Sequence, residues 1–226
     1  MIIGVLAALK VELLDLLEGR DHIEEKTIGD SVFFLVEEGS HTLVLCEAGV
    51  GKVNAAMVTQ QLIDHFAPEL LINTGIAGSL QPHIHVMDTV IATDATMHDF
   101  DHRIMRAFKP FLDHFTADAD VAKRLEKVAK DQGLSVHVGR IVTGDVFVND
   151  LKLKKHLAET FGGLCVEMEG AAIAQVATRN EIPFGIVRTI SDEADHEADV
   201  SYDQFEEIAA RRSAALLNRF VQTLEE

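Results

Sequence analysis

The chain has 226 residues, 47% of them hydrophobic, which is enough to bury a sizeable core and short enough to expect a single domain over residues 1–226. Acidic residues outnumber Lys plus Arg by 37 to 20, and the resulting formal net charge of -17 repels nucleic-acid backbones and anionic membrane surfaces, so neither is an expected partner. The two cysteines, Cys46 and Cys165, lie in apolar, strand-like runs; this argues against a disulfide framework or a zinc site and fits a reducing, cytoplasmic compartment.

Residues 2–8 form a continuous apolar run that could pass for the core of a signal peptide. No basic segment precedes it, however, and Lys10, Glu12, Asp15 and Glu18 follow closely, so it reads as a first buried strand. Residues 11–17 have helical periodicity, ended by Gly19. Residues 31–38 and 42–48 read as strands of a hairpin, turning at Glu38-Gly39-Ser40. Gly49 and Gly51 then lead into helical spacing over 53–65, which Pro68 ends before a short buried strand at 70–73 and a glycine-bearing turn at 74–78. Residues 89–93 predict a strand. The stretch 98–116, rich in His, Phe and charge without clear period, predicts a long functional loop with room for helical turns. Helix over 121–132, strand over 136–143, helix over 170–180, strand over 184–190 and a closing helix over 202–224 complete the pattern. No apolar run approaches the roughly 20 residues that a membrane span requires.

Strands alternating with helices imply an α/β fold, with a mostly parallel sheet covered on both faces and ligands gathered at the carboxyl ends of the strands. Three turns should meet there: the one after Asn73, Gly144-Asp145-Val146-Phe147 after Thr143, and Ser191-Asp192 after Ile190. Beside them, Val166-Glu167-Met168-Glu169-Gly170-Ala171 and Arg188-Thr189-Ile190-Ser191-Asp192 set charge next to the apolar run Gly185-Ile186-Val187. Buried charge is costly unless paired or used. Taken singly, Glu167 and Glu169 are equally well explained as acids favouring the start of a helix, and Asp192 as a cap.

Several other patterns fail. Gly49-Val50-Gly51-Lys52 has Cys46 and Val53 where a phosphate loop needs Gly and Ser or Thr, and it lacks the third glycine of a dinucleotide fingerprint. His98, Asp99, Asp101 and His102, like His83 and His85, are metal-ligand residue types, but they read better as solvated loop residues. No Gly-x-Ser-x-Gly elbow and no local Cys–His pairing points to a covalent nucleophile. No metal and no cofactor are expected.

The surviving segments resemble the 5'-methylthioadenosine/S-adenosylhomocysteine nucleosidases of the purine nucleoside phosphorylase superfamily, in the same order over essentially the whole chain. They are Ile3-Gly4-Val5 running to Glu12, Ala48 to Ala56, Asn73-Thr74-Gly75-Ile76-Ala77-Gly78, Thr143 to Asn149, Val166 to Glu169, and Arg188 to Asp192. The resemblance implies a three-layer α/β/α sandwich with a mixed, mostly parallel central sheet, a homodimer, and hydrolysis of the bond joining adenine to a 5'-thio-substituted ribose. It implies Glu12 as the base that activates water and Asp192 as the acid at the departing adenine. Glu169 would hold the ribose hydroxyls with Met168 against the sugar, Val148 and Gly78 would act through their backbones, and Phe147 would stack near the base. Ile76 and Val50 would line the pocket, while Arg188 and Ser191 would support the two catalytic carboxyl groups. Alternatives within the resemblance are a purine nucleoside phosphorylase or a nucleosidase for another 5'-substituted adenosine such as aminofutalosine or 5'-deoxyadenosine; a non-catalytic nucleoside-binding module is the alternative from another class.

The chemistry fits these residue types. Cleavage leaves positive charge on the sugar and negative charge on the base, so one carboxyl group must hold a proton while another stays ionised. Two positions depart from the family pattern: Ile76 stands where Ser is common and Leu9 where Met is common. The stretch 100–116 also lacks the family's Gly and Tyr pattern, and Phe108, Phe111 and Phe115 are expected either to cover a 5'-substituent across a dimer interface or to form local core.

Overall fold

In a computed structural model of the protein, the described residues are 1–20, 22–195 and 198–224, without the side chains at 199, 200 and 203. The first half runs β1 (Ile2–Ala7), α1 (Lys10–Leu17), β2 (Glu24–Ile28), β3 (Ser31–Glu38), β4 (His41–Glu47), α2 (Lys52–Phe66), β5 (Leu70–Asn73) and β6 (Ile76–Ser79). The second half runs β7 (Thr89–Met97), α3 (His102–Ala107), β8 (Phe115–Thr116), α4 (Ala119–Asp131), β9 (Val136–Thr143), α5 (Leu151–Phe161), β10 (Cys165–Glu167), α6 (Gly170–Arg179), β11 (Phe184–Asp192) and α7 (Ala198–Thr223).

The strands join in the order β2-β3-β4-β1-β5-β11-β6-β10-β9-β7-β8, with β7 also pairing back onto β11. The sheet is therefore mixed. One half is open, while β11, β6, β10, β9 and β7 close on one another in a ring. Strand β11 pairs with β5, β6 and β7 along its length, which buries all nine of its residues. That position explains an apolar run broken by a buried arginine.

The apolar strands bury both faces, so successive residues feed opposite cores. On one side Leu6, Val44 and Leu71 meet Ala55, Val58 and Leu62 of α2 and the alanines of α6. On the other, Ile3, Val5, Leu43, Leu45 and Ile72 meet Leu13 and Leu16 of α1, Leu125 of α4, and Leu217 and Phe220 of α7. These are the two outer layers of the expected sandwich. Asp118 caps α4 by accepting from Asp120 N and Val121 N, and Asp150 caps α5 by accepting from Leu153 N, as their side chains favour.

Several elements differ from the sequence expectation. The proposed turn at 74–78 is a turn only at Thr74-Gly75; Ile76 onward is strand β6, parallel to β11. The strand from Thr89 continues to Met97 across an irregularity at Ala92/Asp94. The stretch 98–116 contains α3, capped by Asp101, and β8, which pairs with β7. Helix α7 begins at Ala198, ahead of the expected 202. The edge strand β2 and helix α5 were not anticipated as elements; β2 is exposed and charged, so it carries no apolar period, whereas β10 coincides with the strand-like run at Cys165.

Candidate active site

A cavity of about 440 Å³ opens at the carboxyl ends of the strands, where the turns after β1, β4, β5, β9, β10 and β11 converge. It is lined by Glu12, Val50, Ile76, Gly78, Phe147, Met168, Glu169, Ser191 and Asp192, all singled out from the sequence, together with Leu9, Glu167 and Tyr202. A second concavity, of about 420 Å³, lies among α1, β3 and α2 around Lys10, Asp30 and Glu47, and contains none of the predicted site residues.

Glu12 sits in the first turn of α1 and is buried. Its Oε2 accepts from Leu9 N at 2.9 Å and its Oε1 from Ile76 N at 3.1 Å. Burial pushes its pKa up, and these backbone N–H groups and the Arg188 guanidinium work against that rise. Both contacts come from the backbone at the two positions that depart from the family pattern, so Leu9 and Ile76 supply them as any residue would. Gly75, with φ +151°, makes the approach possible: a Cβ there would lie 2.5 Å from Glu12 Oε1.

Asp192 ends β11 against the backbone of Gly78, where a Cβ would lie 2.7 Å from its Oδ1. Ala194 N donates to Oδ1 at 2.8 Å, and Ser191 Oγ donates to Oδ2 at 2.8 Å. Burial raises the Asp192 pKa above the ordinary carboxylate range; these two donors and Lys154 lower it, and Asp195 adds to the rise. Ser191 thus supports Asp192 directly.

The acids of the Val166–Glu169 segment divide their work. Glu167 ends β10 and its Oε2 accepts from Glu169 N at 3.1 Å and Gly170 N at 2.7 Å, so it caps α6; it also pairs with the fully buried Arg188 and accepts from Thr143 Oγ1. Arg188 in turn donates to Asn73 Oδ1. The helix-opening explanation therefore holds for Glu167. Glu169 turns into the cavity and accepts from Gly51 N at 2.9 Å through Oε1. Its pKa is pushed up to about 7, first by burial and then by Glu167.

Arg188 does not line the cavity and touches neither Glu12 nor Asp192 by a hydrogen bond; it acts behind Glu167 and through its charge on Glu12. Val148 also does not line it. Its side chain packs with Leu80, Val142 and Leu157 in a small satellite core. Tyr202, on α7, was missed from the sequence: its ring meets Phe147 edge-on, with centroids 5.6 Å apart. Glu167, quoted in the acidic motif, was not assigned a site role. Of the candidate metal-ligand types, Asp99 pairs with Lys52, Asp101 caps α3 and bonds Arg103, and the His102 ring bonds the Met97 carbonyl.

The aromatic residues of 98–116 split between the two expectations. Phe115 is 0% exposed and belongs to the core, whereas Phe108 is 67% and Phe111 58% exposed.

Comparison with known proteins agrees with this architecture. Residues 2–222 match the family model of the phosphorylase superfamily. The 5'-methylthioadenosine/S-adenosylhomocysteine nucleosidase of Staphylococcus carnosus is 34% identical, with 98% of this chain and 100% of that protein covered. Among solved structures, the nucleosidase of S. pneumoniae with the transition-state inhibitor MT-ImmA superposes with a TM-score of 0.93 at 36% identity, covering 99% of this chain and 100% of that one. The futalosine hydrolase of Helicobacter pylori strain 26695 gives a TM-score of 0.93 at 31% identity, covering 99% and 98%. The chain belongs to the phosphorylase superfamily and, within it, to the family of 5'-methylthioadenosine/S-adenosylhomocysteine nucleosidases.

Proposed function

We propose that the protein hydrolyses the N-glycosidic bond of 5'-thio-substituted adenosines, 5'-methylthioadenosine and S-adenosylhomocysteine, releasing adenine and the thio-ribose. The observation that carries this reading is the convergence of Glu12, Glu169 and Asp192, from three distant parts of the chain, on one cavity where burial raises the pKa of each. Asp192 keeps a proton for the departing adenine, whose nitrogen gains electron density as the bond breaks. Glu12, anchored by two N–H groups, takes a proton from the attacking water; a raised pKa makes it a stronger base near neutral pH. Glu169, once ionised, accepts from the ribose hydroxyls and stabilises positive charge on the sugar. Met168 packs against the sugar, Phe147 stacks near the base, and Gly78 and Val148 offer backbone groups.

Water is favoured over phosphate as the nucleophile because, among the described residues, no Lys, Arg or His lines the cavity and Arg188 is already held by Glu167 and Asn73. A phosphate dianion needs cations beside it. The breadth of 5'-substituents is left wider than methylthio groups, in line with the equally close fold of the futalosine hydrolase. A homodimer is supported by the exposed apolar side chains of Phe100, Ile104, Phe108, Phe111 and Leu112. No helix among the described residues is long and apolar enough to cross a membrane, and Cys46 and Cys165 are buried and unpaired, in keeping with a cytoplasmic location.

Adenine release from a panel of 5'-substituted adenosines, with and without phosphate, tests the reading. Equal rates in both conditions are expected. A strict phosphate requirement, or no release from any member of the panel, overturns it.

A further inference from the structure

The glycine-bearing segment Gly49-Val50-Gly51-Lys52 fails as a phosphate loop, yet it reaches the cavity, and the lysine that would have bound phosphate is engaged elsewhere. Lys52 opens α2 behind Gly51. Its ammonium pairs with Asp99, just past the end of β7, and lies 3.0 Å from Asp145 Oδ2, just past the end of β9. Asp145 Oδ1 also accepts from Lys52 N at 2.8 Å, and Asp99 Oδ2 accepts from Asp145 N at 2.9 Å. Two carboxylates and one ammonium thus tie three loops together outside the cavity wall. Two of those loops carry site residues: Val50 and the Gly51 N–H that bonds Glu169, and Phe147, which meets Tyr202.

We propose that Lys52 is a positioning residue that, through Asp99 and Asp145, holds the Gly51 N–H on Glu169 and Phe147 over the cavity, and so sets how tightly the ribose end of the nucleoside binds. The clamp rests on the nucleosidase reading for its effect on turnover, but not for its effect on the loops. Although burial works against the charge of Lys52, Asp99 and Asp145 raise its pKa, and Lys52 helps lower that of Asp99, so the pair stays charged across neutral pH. The group at the other end of the chain of contacts does titrate. Glu169 is faced by Glu167 from β10, Arg188 and Asp192 from β11, Glu12 from α1, Tyr202 from α7 and the Gly51 N–H from the loop before α2. Of these, the Gly51 N–H is the one the clamp controls, and it lowers the Glu169 pKa.

The test uses Lys52→Met, Lys52→Arg and Asp145→Ala. Losing a positioned hydrogen bond to an ionised group weakens binding by about tenfold, so KM should rise about tenfold in Lys52→Met and Asp145→Ala while kcat stays within about threefold. The acid limb of kcat/KM should move to higher pH in both. Through-space charge alone predicts opposite shifts, since one variant loses a cation and the other an anion. Lys52→Arg keeps the charge and most of the affinity. The chain has one tyrosine and no tryptophan, so its ultraviolet emission comes from Tyr202. Acrylamide should quench that emission more readily in Lys52→Met and Asp145→Ala than in the unsubstituted protein, as Phe147 moves off the ring. Acid limbs that shift in opposite directions, an unchanged KM, or unchanged Tyr202 quenching would overturn the clamp. Absence of adenine release by the unsubstituted protein would sink the nucleosidase reading instead, with the quenching comparison still deciding whether Lys52 holds the loops.

Discussion

The floor of the cavity and its rim are built differently. On the floor, every acid is tied to backbone N–H groups: Glu12 by Leu9 and Ile76, Glu167 by Glu169 and Gly170, Glu169 by Gly51, and Asp192 by Ala194. The donors to Glu12, at the start of α1 and of β6, cannot rotate away, so that carboxyl group is fixed before substrate arrives. At the rim, Val50 and Phe147 sit on loops held by the Lys52 ion pairs. On the proposed reading, the floor serves the chemistry and the rim grips what enters.

If that division holds, substitutions on the floor should damage turnover far more than those on the rim. The largest effect is expected at Asp192. With the roles proposed for the two acids, Asp192→Asn should lower kcat by roughly 10²- to 10⁴-fold with substrate affinity largely kept, for want of a proton donor, and Glu12→Gln should do the same for want of a base. Steady-state adenine release measures both, and turnover within tenfold of wild type would move the acid or the base elsewhere.

Next comes Gly75→Ala. It places a Cβ 2.5 Å from Glu12 Oε1 at a φ of +151°. A thermal melt should show a loss of about 1–3 kcal/mol in stability, and adenine release should fall by at least about tenfold as the displaced Glu12 loses its two donors. Normal activity would mean the close approach is dispensable.

The pH dependence of stability is a smaller effect. Glu169 titrates near 7 when folded, above its ordinary value, so its contribution is fully present below the unfolded pKa and is lost as pH rises through about 7. Glu12 and Asp192, also raised, act in the same direction. The ligand-free protein should therefore melt at progressively lower temperature from about pH 5 to about pH 8, and Glu169→Gln should flatten that slope. A slope of opposite sign, or one that Glu169→Gln leaves intact, contradicts the burial argument.

The smallest effect on the monomer is expected at the exposed rings that follow α3, which do not line the cavity. Phe108→Ser with Phe111→Ser should change monomer stability by no more than about 0.5 kcal/mol, yet shift light scattering from dimer to monomer if these rings meet a second copy. An unchanged dimer would place the interface on another face.

Much of this arrangement was legible in the sequence because it follows local patterns. The apolar runs at 2–8, 70–73 and, broken by Arg188, 184–190 marked the central strands, and nine of the eleven predicted site residues line the cavity. The misses have physical causes. Strand β6 is four residues long and follows a glycine, so it looked like a turn until pairing with β11 gave its backbone partners. Helix α5 is half exposed and lysine-rich, with one buried leucine, Leu157; its readable signals were the Asp150 cap and Gly162 at its end. Val148 was expected to act through its backbone alone, and its side chain packs away from the cavity, in the satellite core. Tyr202 stood in a helix whose facing element, the Phe147 loop, is 55 residues away.

The chain's local sequence carried the alternation of strand and helix, the ends of the strands at which polar and acidic residues collect, and the glycine-bearing turns. It did so because apolar periodicity, caps and φ preferences are properties of neighbouring residues. It took the folded chain to return β7 to β11 and close a ring, to turn Glu167 toward Arg188 and the start of α6, and to bring Gly51 to Glu169 across 118 positions of chain. The raised pKa values belong to that second group: desolvation depends on what surrounds a carboxyl group from every direction, and no stretch of sequence contains its own surroundings.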